Sequence, residues 1–137
     1  MSIIVDLIKS PHTFAVVGVS QDKTRYGYEL FEVLISHGHQ VFPINPKYSE
    51  IDEHPCYPSL ADLPSKPDAV ISAISPMAAE KLAESCAANH ISILWMPPGT
   101  DSTEAIKVCK DKNITAIYDI CPVFVHKLPP DRWNELP

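Results

Sequence analysis

The chain has 137 residues, 45% of them hydrophobic, with 11 Lys+Arg against 17 Asp+Glu, a formal net charge of −6 with histidines neutral. That length suits one domain with its own core, and an acidic surface repels phosphate backbones, which argues against nucleic acid as a general partner. Its 14 prolines, about twice the usual share, exclude a coiled coil or helix bundle.

Residues 2–9 read as a short amphipathic helix ended by Pro11. The run TFAVVGV, residues 13–19, is apolar and β-branched without alternation, which predicts a strand buried on both faces of a parallel sheet. After a polar loop, residues 27–36 carry Leu30, Val33 and Leu34 at helical spacing, with Gly38 as a stop. QVFPI, residues 40–44, predicts a second strand closed by Asn45-Pro46, and residues 48–63 read as irregular and proline-rich. AVISAI, residues 69–74, is a third strand. Ser75 as cap and Pro76 at the first helical position then open a helix running to about Asn89. ISILW (91–95) is a fourth strand, 101–112 a helix capped by Asp101 or Ser102, and 114–118 a fifth strand; the tail from Pro122 reads as irregular. Strands alternating with helices predict an α/β fold in one domain, residues 1–137. It is a three-layer, doubly wound, five-stranded parallel sheet with right-handed crossovers and strand order 3-2-1-4-5.

No apolar run approaches the ~18 residues of a membrane span, and residues 1–10 lack the basic start and apolar stretch of a secretory leader. A cytoplasmic protein with no membrane partner is expected. Cys56, Cys86, Cys109 and Cys121 form no Cys-x-x-Cys pair, so neither a zinc ribbon nor a thioredoxin motif is expected, and the thiols should be reduced. Cys86 and Cys109 fall in helical patterns as core residues. His37 and His39 flank Gly38 and read as a helix end rather than metal ligands; no metal site is expected.

Ligands of doubly wound sheets bind beyond the C-terminal ends of the strands at the switch point, here expected between strands 1 and 4. The first strand exits into Gly18-Val19-Ser20-Gln21-Asp22-Lys23-Thr24-Arg25-Tyr26-Gly27. Gly18 permits a sharp turn and close backbone approach. Gly27 opens a helix whose N-terminal amides face an anion. Ser20 and Thr24 carry hydroxyls, and Lys23 and Arg25 bring positive charge to an acidic chain. Together they describe a phosphate cradle; an ordinary connecting loop with surface cations is the alternative. The dinucleotide pattern Gly-x-Gly-x-x-Gly is missing. The second strand ends in Asn45-Pro46-Lys47, without the acid that reads a bare ribose. An amide and a lysine there suit a nucleotide with an extra ribose phosphate, although Asn-Pro also ends a strand whatever else it does. Ser75 and Pro97 lie at the third and fourth exits. No Gly-x-Ser-x-Gly, Walker or His-Glu-x-x-His pattern occurs. No catalytic role is expected for Asp119, Cys121 and His126, and Asp119 reads as a carboxylate accepting backbone N–H bonds near the loop.

Taken in order, VVGVSQDKTRYGYEL, VFPINPKYSEI, CYPSLADLP, ILWMPPGT and YDICP resemble the small stand-alone CoA-binding proteins. These are Rossmann-like domains similar to the CoA-binding domain of the succinyl-CoA synthetase alpha subunit. The resemblance spans residues 13–122. It implies that Gly18, Val19 and Ser20 line the phosphates with Arg25 beside them, and that Asn45, Pro46 and Lys47 meet the adenosine and its 3′-phosphate. Cys121-Pro122 matches the family's Asp-x-Cys ending. The chain departs from relatives at Ala73-Ile74-Ser75-Pro76-Met77, where Phe-Arg and then Pro-Glu are common, and at Met96-Pro97-Pro98-Gly99, where Gln-x-Gly is common. Both changes remove polar side chains from the cleft mouth. The synthetase's ligase segment has no counterpart here, so ligase chemistry is not carried over.

The expectation is therefore non-catalytic binding of coenzyme A or an acyl-CoA at the C-terminal edge of the sheet. An NAD(P)-binding redox enzyme or sensor, and an interaction module that has lost its nucleotide, are the alternatives. A mixed disulfide between CoA and Cys121 is a narrower reading of the same edge. Pro46, Pro76, Pro97 and Pro122 each follow one of strands two to five, while Gly18 follows the first. One amide-rich wall and four stiff, donor-poor exits are expected.

Overall fold

The computed structural model describes residues 2–137. Helix α1 (Ile3–Ile8) is capped by Ser2, whose Oγ accepts from the Ile4 N–H at 3.1 Å. Strand β1 (Thr13–Val17) follows, then α2 (Tyr26–Ser36) and β2 (Gln40–Ile44). The segment read as irregular holds a two-stranded hairpin, β3 (Glu50–Ile51) and β4 (His54–Pro55), and a 3₁₀ turn over Leu60–Asp62. Asp52 and Glu53 form the hairpin turn with φ of 46° and 68°, the left-handed pair that matches strand twist in two-residue loops. Then come β5 (Ala69–Ser72), α3 (Pro76–Ala88), β6 (Ile93–Met96), α4 (Thr103–Asp111) and β7 (Thr115–Tyr118).

The chain closes with α5 (Pro122–His126) and a 3₁₀ segment, Pro130–Glu135. The irregular tail expected from sequence is thus corrected: Val123, Val125 and His126 are buried. Pro122 starts a helix here as Pro76 does. Ser102 caps α4, its Oγ accepting from the Ala105 N–H at 3.0 Å. Ser75 stands at the cap of α3 without a side-chain bond.

Five parallel strands form the main sheet in the order β2-β1-β5-β6-β7. The fold class is the one expected. Counting only these strands, however, the order is 2-1-3-4-5, not 3-2-1-4-5. Pro43 explains the difference. It lies within β2, and its carbonyl faces away from β1, accepting from the Tyr57 N–H at 3.0 Å. Its nitrogen, with no hydrogen to donate, lies on that same side. A central position for β2 would have put the missing donor into a ladder, and proline in a sheet belongs at an edge. The third strand, Ala69–Ser72, is buried throughout and pairs with the other side of β1. The switch point therefore falls between β1 and β5.

Side chains alternate between two cores. On one face Phe14, Val16, Ile71 and Trp95 pack against α1, α2 and α5 through Leu7, Phe31, Leu34 and Val125. On the other, Ala15, Val70, Leu94 and Met96 meet α3 and α4 through Leu82, Cys86, Ala105 and Cys109. Among the described residues no helix is long and apolar enough to cross a membrane.

Candidate functional site

β1 ends in a turn that only glycine tolerates. Gly18 has φ +102°, and a Cβ there would stand 2.6 Å from the Ala73 carbonyl oxygen. A Cβ on Gly27 would overlap the Gly18 carbonyl oxygen. The start of α2 is thereby pressed against the exit of β1. The cap of α2 is Arg25, which makes no side-chain cap bond. The first amides of α2 are left to an outside acceptor, and the helix dipole favours an anion there.

The loop holds its own shape. Thr24 donates its hydroxyl to Asp22 Oδ1 at 2.7 Å and its N–H to the same oxygen at 3.0 Å. These bonds, with a smaller contribution from the Arg25 charge, hold the Asp22 carboxyl below its usual range. Ser20 Oγ accepts from the Asp22 N–H at 3.0 Å and lies 3.4 Å from Tyr48 Oη. Asn45 ties two strand exits together: its Nδ2 donates to the Val19 carbonyl at 3.0 Å, and its Oδ1 accepts from the Lys47 N–H at 2.9 Å. Val19 is wholly buried and lines none of the cavities, so the phosphate-lining place expected for it is not found; its carbonyl is taken by Asn45. Lys23, Arg25 and Lys47 are exposed and, among the described residues, none forms a salt bridge. The Lys23 and Lys47 ammonium groups stand 5.8 and 6.0 Å from the ring centres of Tyr28 and Tyr48.

Eight of the residues singled out from sequence line one cavity of about 480 Å³: Gly18, Ser20, Thr24, Arg25, Tyr26, Gly27, Asn45 and Lys47. Tyr48 and Ala73 complete it. Sequence reasoning missed both, although Tyr48 directly follows Lys47 and Ala73 lies in the apolar run at 69–74, just past β5, where its backbone faces Gly18. Pro46 borders a neighbouring apolar cavity of about 330 Å³ with Val17, Ile44, Leu60, Ile74 and Leu82. Lys23 points to a third depression, beside Tyr28 and Glu29. Ser75 and Pro97 line neither of the first two: Ser75 is exposed, and Pro97 is buried with its carbonyl accepting from the Thr100 N–H at 2.9 Å.

Tyr26 connects the cavity to the C-terminal segment, its Oη 3.4 Å from Cys121 Sγ. Burial first, then that contact, push the Tyr26 phenol up. Asp119 has φ 65°, but its carboxylate makes no hydrogen bond to the described residues, so the backbone-accepting role expected for it is not found. His126 is engaged by His39, not by Asp119 or Cys121. No group of three or more His, Cys, Asp or Glu among the described residues is placed to hold a metal.

The family model described as "CoA binding domain" matches residues 12–127. The chain belongs to that family. Acetate–CoA ligase (ADP-forming) of Methanocaldococcus jannaschii is 30% identical over 79 residues, 58% of this chain and 11% of the ligase. This CoA-binding domain thus spans about a tenth of the length of the curated ligases it matches. An uncharacterised Bacillus subtilis protein is 26% identical over 127 residues, covering 90% of this chain and 91% of that one. Among solved structures, a hypothetical protein from Pyrococcus horikoshii superposes with a TM-score of 0.86 at 27% identity, over 90% of this chain and 87% of that one.

The residues of this CoA-binding domain fit the group its family name implies. The turn at Gly18 has no room for a Cβ, amides at the start of α2 lack a cap, and unpaired cations flank them. The cavity beside Pro46 is lined mostly by apolar side chains.

Proposed function

We propose that this protein binds coenzyme A, free or acylated, at the C-terminal edge of its sheet and does not transform it. The observation carrying this reading is the convergence of Gly18, Ser20, Arg25, Gly27 and Lys47 on one cavity at an uncapped helix N-terminus. In this reading the diphosphate rests on the Gly18–Gly27 loop beside Arg25, Lys47 attracts the 3′-phosphate, and the adenine enters the apolar cavity lined by Val17, Ile44 and Pro46. A binding role is supported by the state of the local hydroxyls. Thr24 donates its hydroxyl to Asp22, whose carboxyl is held below its usual range and is therefore a poor base, and Ser20 accepts from the loop backbone, so neither hydroxyl is set up as a nucleophile. Four free thiols fit a reducing compartment such as the cytoplasm.

Isothermal titration with CoA and with dephospho-CoA tests the assignment. CoA should bind more tightly, and equal affinities would remove the role given to Lys47. Native mass spectrometry of freshly isolated protein should show a co-purifying mass near that of CoA. NADPH binding with fluorescence enhancement, in the absence of CoA binding, would replace this reading with the redox one.

A further inference from the structure

Four of the six histidines gather at the end of the sheet opposite the cavity, although His39 and His126 are 87 residues apart in sequence. His39 Nε2 and His126 Nε2 are 3.0 Å apart in a buried position. The remaining nitrogens are also committed. The His12 N–H donates to His39 Nδ1 at 3.0 Å, and His126 Nδ1 lies 2.7 Å from the Pro122 carbonyl. A carbonyl can only accept, so His126 carries its proton on Nδ1. His39 Nδ1 accepts from a backbone amide, so His39 carries its proton on Nε2. His39 Nε2–H then donates to His126 Nε2. One arrangement of two neutral rings satisfies every partner.

We propose that the His39–His126 pair is a proton-released latch that fastens the C-terminal segment, residues 122–136, to the body of the domain. A proton added to His126 must go on Nε2, where it meets the His39 N–H across 3.0 Å. A proton added to His39 must go on Nδ1, where it meets the His12 N–H. A proton on His126 sets donor against donor at the contact that joins α5 to the residue before β2, and a proton on His39 does so at its contact with the loop before β1, the bond that orients the His39 ring toward α5.

The surroundings offer the proton little compensation: the Pro122 carbonyl on His126 Nδ1 favours the charged ring, and burial outweighs it. From the loop before β1 the His12 ring lies 6.3 Å from that of His39, and from the cap of α2 the His37 ring lies 5.2 Å from that of His126. β1 contributes the Phe14 ring, edge-on to His39 at 4.8 Å. Lys127, next to His126 on α5, is exposed and positive. No carboxylate stands among the groups acting on either histidine. Burial, with the neighbouring histidine charges adding to it, lowers His39 to about 4, and burial lowers His126 as well.

The direction of the pH response follows. Both groups bind protons more tightly once released than when docked. The latch is therefore complete above the ordinary histidine value of 6.5 and is lost as pH falls from there through about 4. For His39 alone, these values set a ceiling of about 30-fold on the rise in released population between pH 7.5 and pH 5, since His12 and His37 stay with the body of the domain. Release also withdraws Cys121 from Tyr26, since Cys121 is the cap of α5.

Hydrogen exchange of the full chain, read by mass spectrometry and corrected for intrinsic rates, tests this at pH 7.5 and pH 5. Peptides from 122–136 should lose roughly 5- to 30-fold in protection while β1 and β5 stay protected. In His39→Asn, whose Oδ1 accepts from the His12 N–H but takes no proton, the response should shrink severalfold. An equal response in wild type and His39→Asn overturns the latch. Ring ¹⁵N spectra of the wild-type protein at pH 7.5 give a second reading that needs no variant. They should show the proton on Nε2 of His39 and on Nδ1 of His126, and the reverse tautomers also overturn it.

Discussion

Gly18 and Ala73 meet across the gap where β1 and β5 diverge, so closely that a Cβ on Gly18 would stand 2.6 Å from the Ala73 carbonyl oxygen. The contact links two exits of the sheet, and the Ala73 N–H in turn donates to the Val17 carbonyl at 2.7 Å. Because Gly18 also has φ +102°, a side chain there adds a left-handed penalty of about 1–2 kcal/mol to the steric one. Gly18→Val should unfold the domain or abolish CoA binding, and Gly18→Ala should lower the urea midpoint and weaken CoA. Pro98→Ala, at an exposed rim, should change both only slightly. Comparable losses from Gly18→Ala and Pro98→Ala would refute the division between an amide wall and stiff rims.

Lys47 is exposed and, among the described residues, is held by no carboxylate. If it meets the 3′-phosphate, Lys47→Ala should weaken CoA by about tenfold, the range of a charge-assisted hydrogen bond. Dephospho-CoA should be nearly unaffected, and the difference should shrink in high salt. A parallel loss for both ligands in titration calorimetry would move the 3′-phosphate elsewhere.

Asn45 bridges Val19 and Lys47 through two hydrogen bonds at 3.0 and 2.9 Å. Asn45→Ala should cost about 1–3 kcal/mol in chemical denaturation and weaken CoA through the loosened loop. Asn45→Asp removes only the donor to Val19, so it should keep the turn at Lys47 and lose less stability. Identical effects of the two variants would show that the Val19 contact alone matters.

Burial pushes the thiols of Cys56 and Cys109 up, and that of Cys86 up to about 12. Cys121 is the half-buried one, beside Tyr26 at the cavity. With oxidised CoA as co-reactant, the Cys121 thiolate would attack one sulfur of the CoA disulfide, forming a protein–CoA disulfide and releasing one CoA thiolate. Intact mass should gain one CoA unit, and Cys121→Ser should abolish the gain. An adduct that persists in Cys121→Ser would place the reactive thiol elsewhere.

The strands were legible because parallel strands buried on both faces leave unbroken apolar runs, as in TFAVV and AVIS. The turn after β1 was legible because a conformation that excludes a Cβ demands glycine, and Gly18 and Gly27 bracket it. The sign of Pro43 was also present: a proline inside an apolar run marks an edge strand, and its neglect produced the wrong strand order. The tail was misread because its five-residue helix is too short to show a period, and it is held by docking onto α2 rather than by its own propensity.

The sequence by itself determined the α/β class, the glycine-bracketed turn over residues 18–27, and the position of a lysine after β2, because each depends on side-chain period or turn chemistry within a few residues. Only the tertiary structure decided that β1 and β5 adjoin, that Lys47 and Arg25 face one cavity, and that His39 meets His126. Those are matters of which buried surfaces and hydrogen-bond partners can be satisfied together. That condition couples residues far apart in the chain, and no local pattern records it.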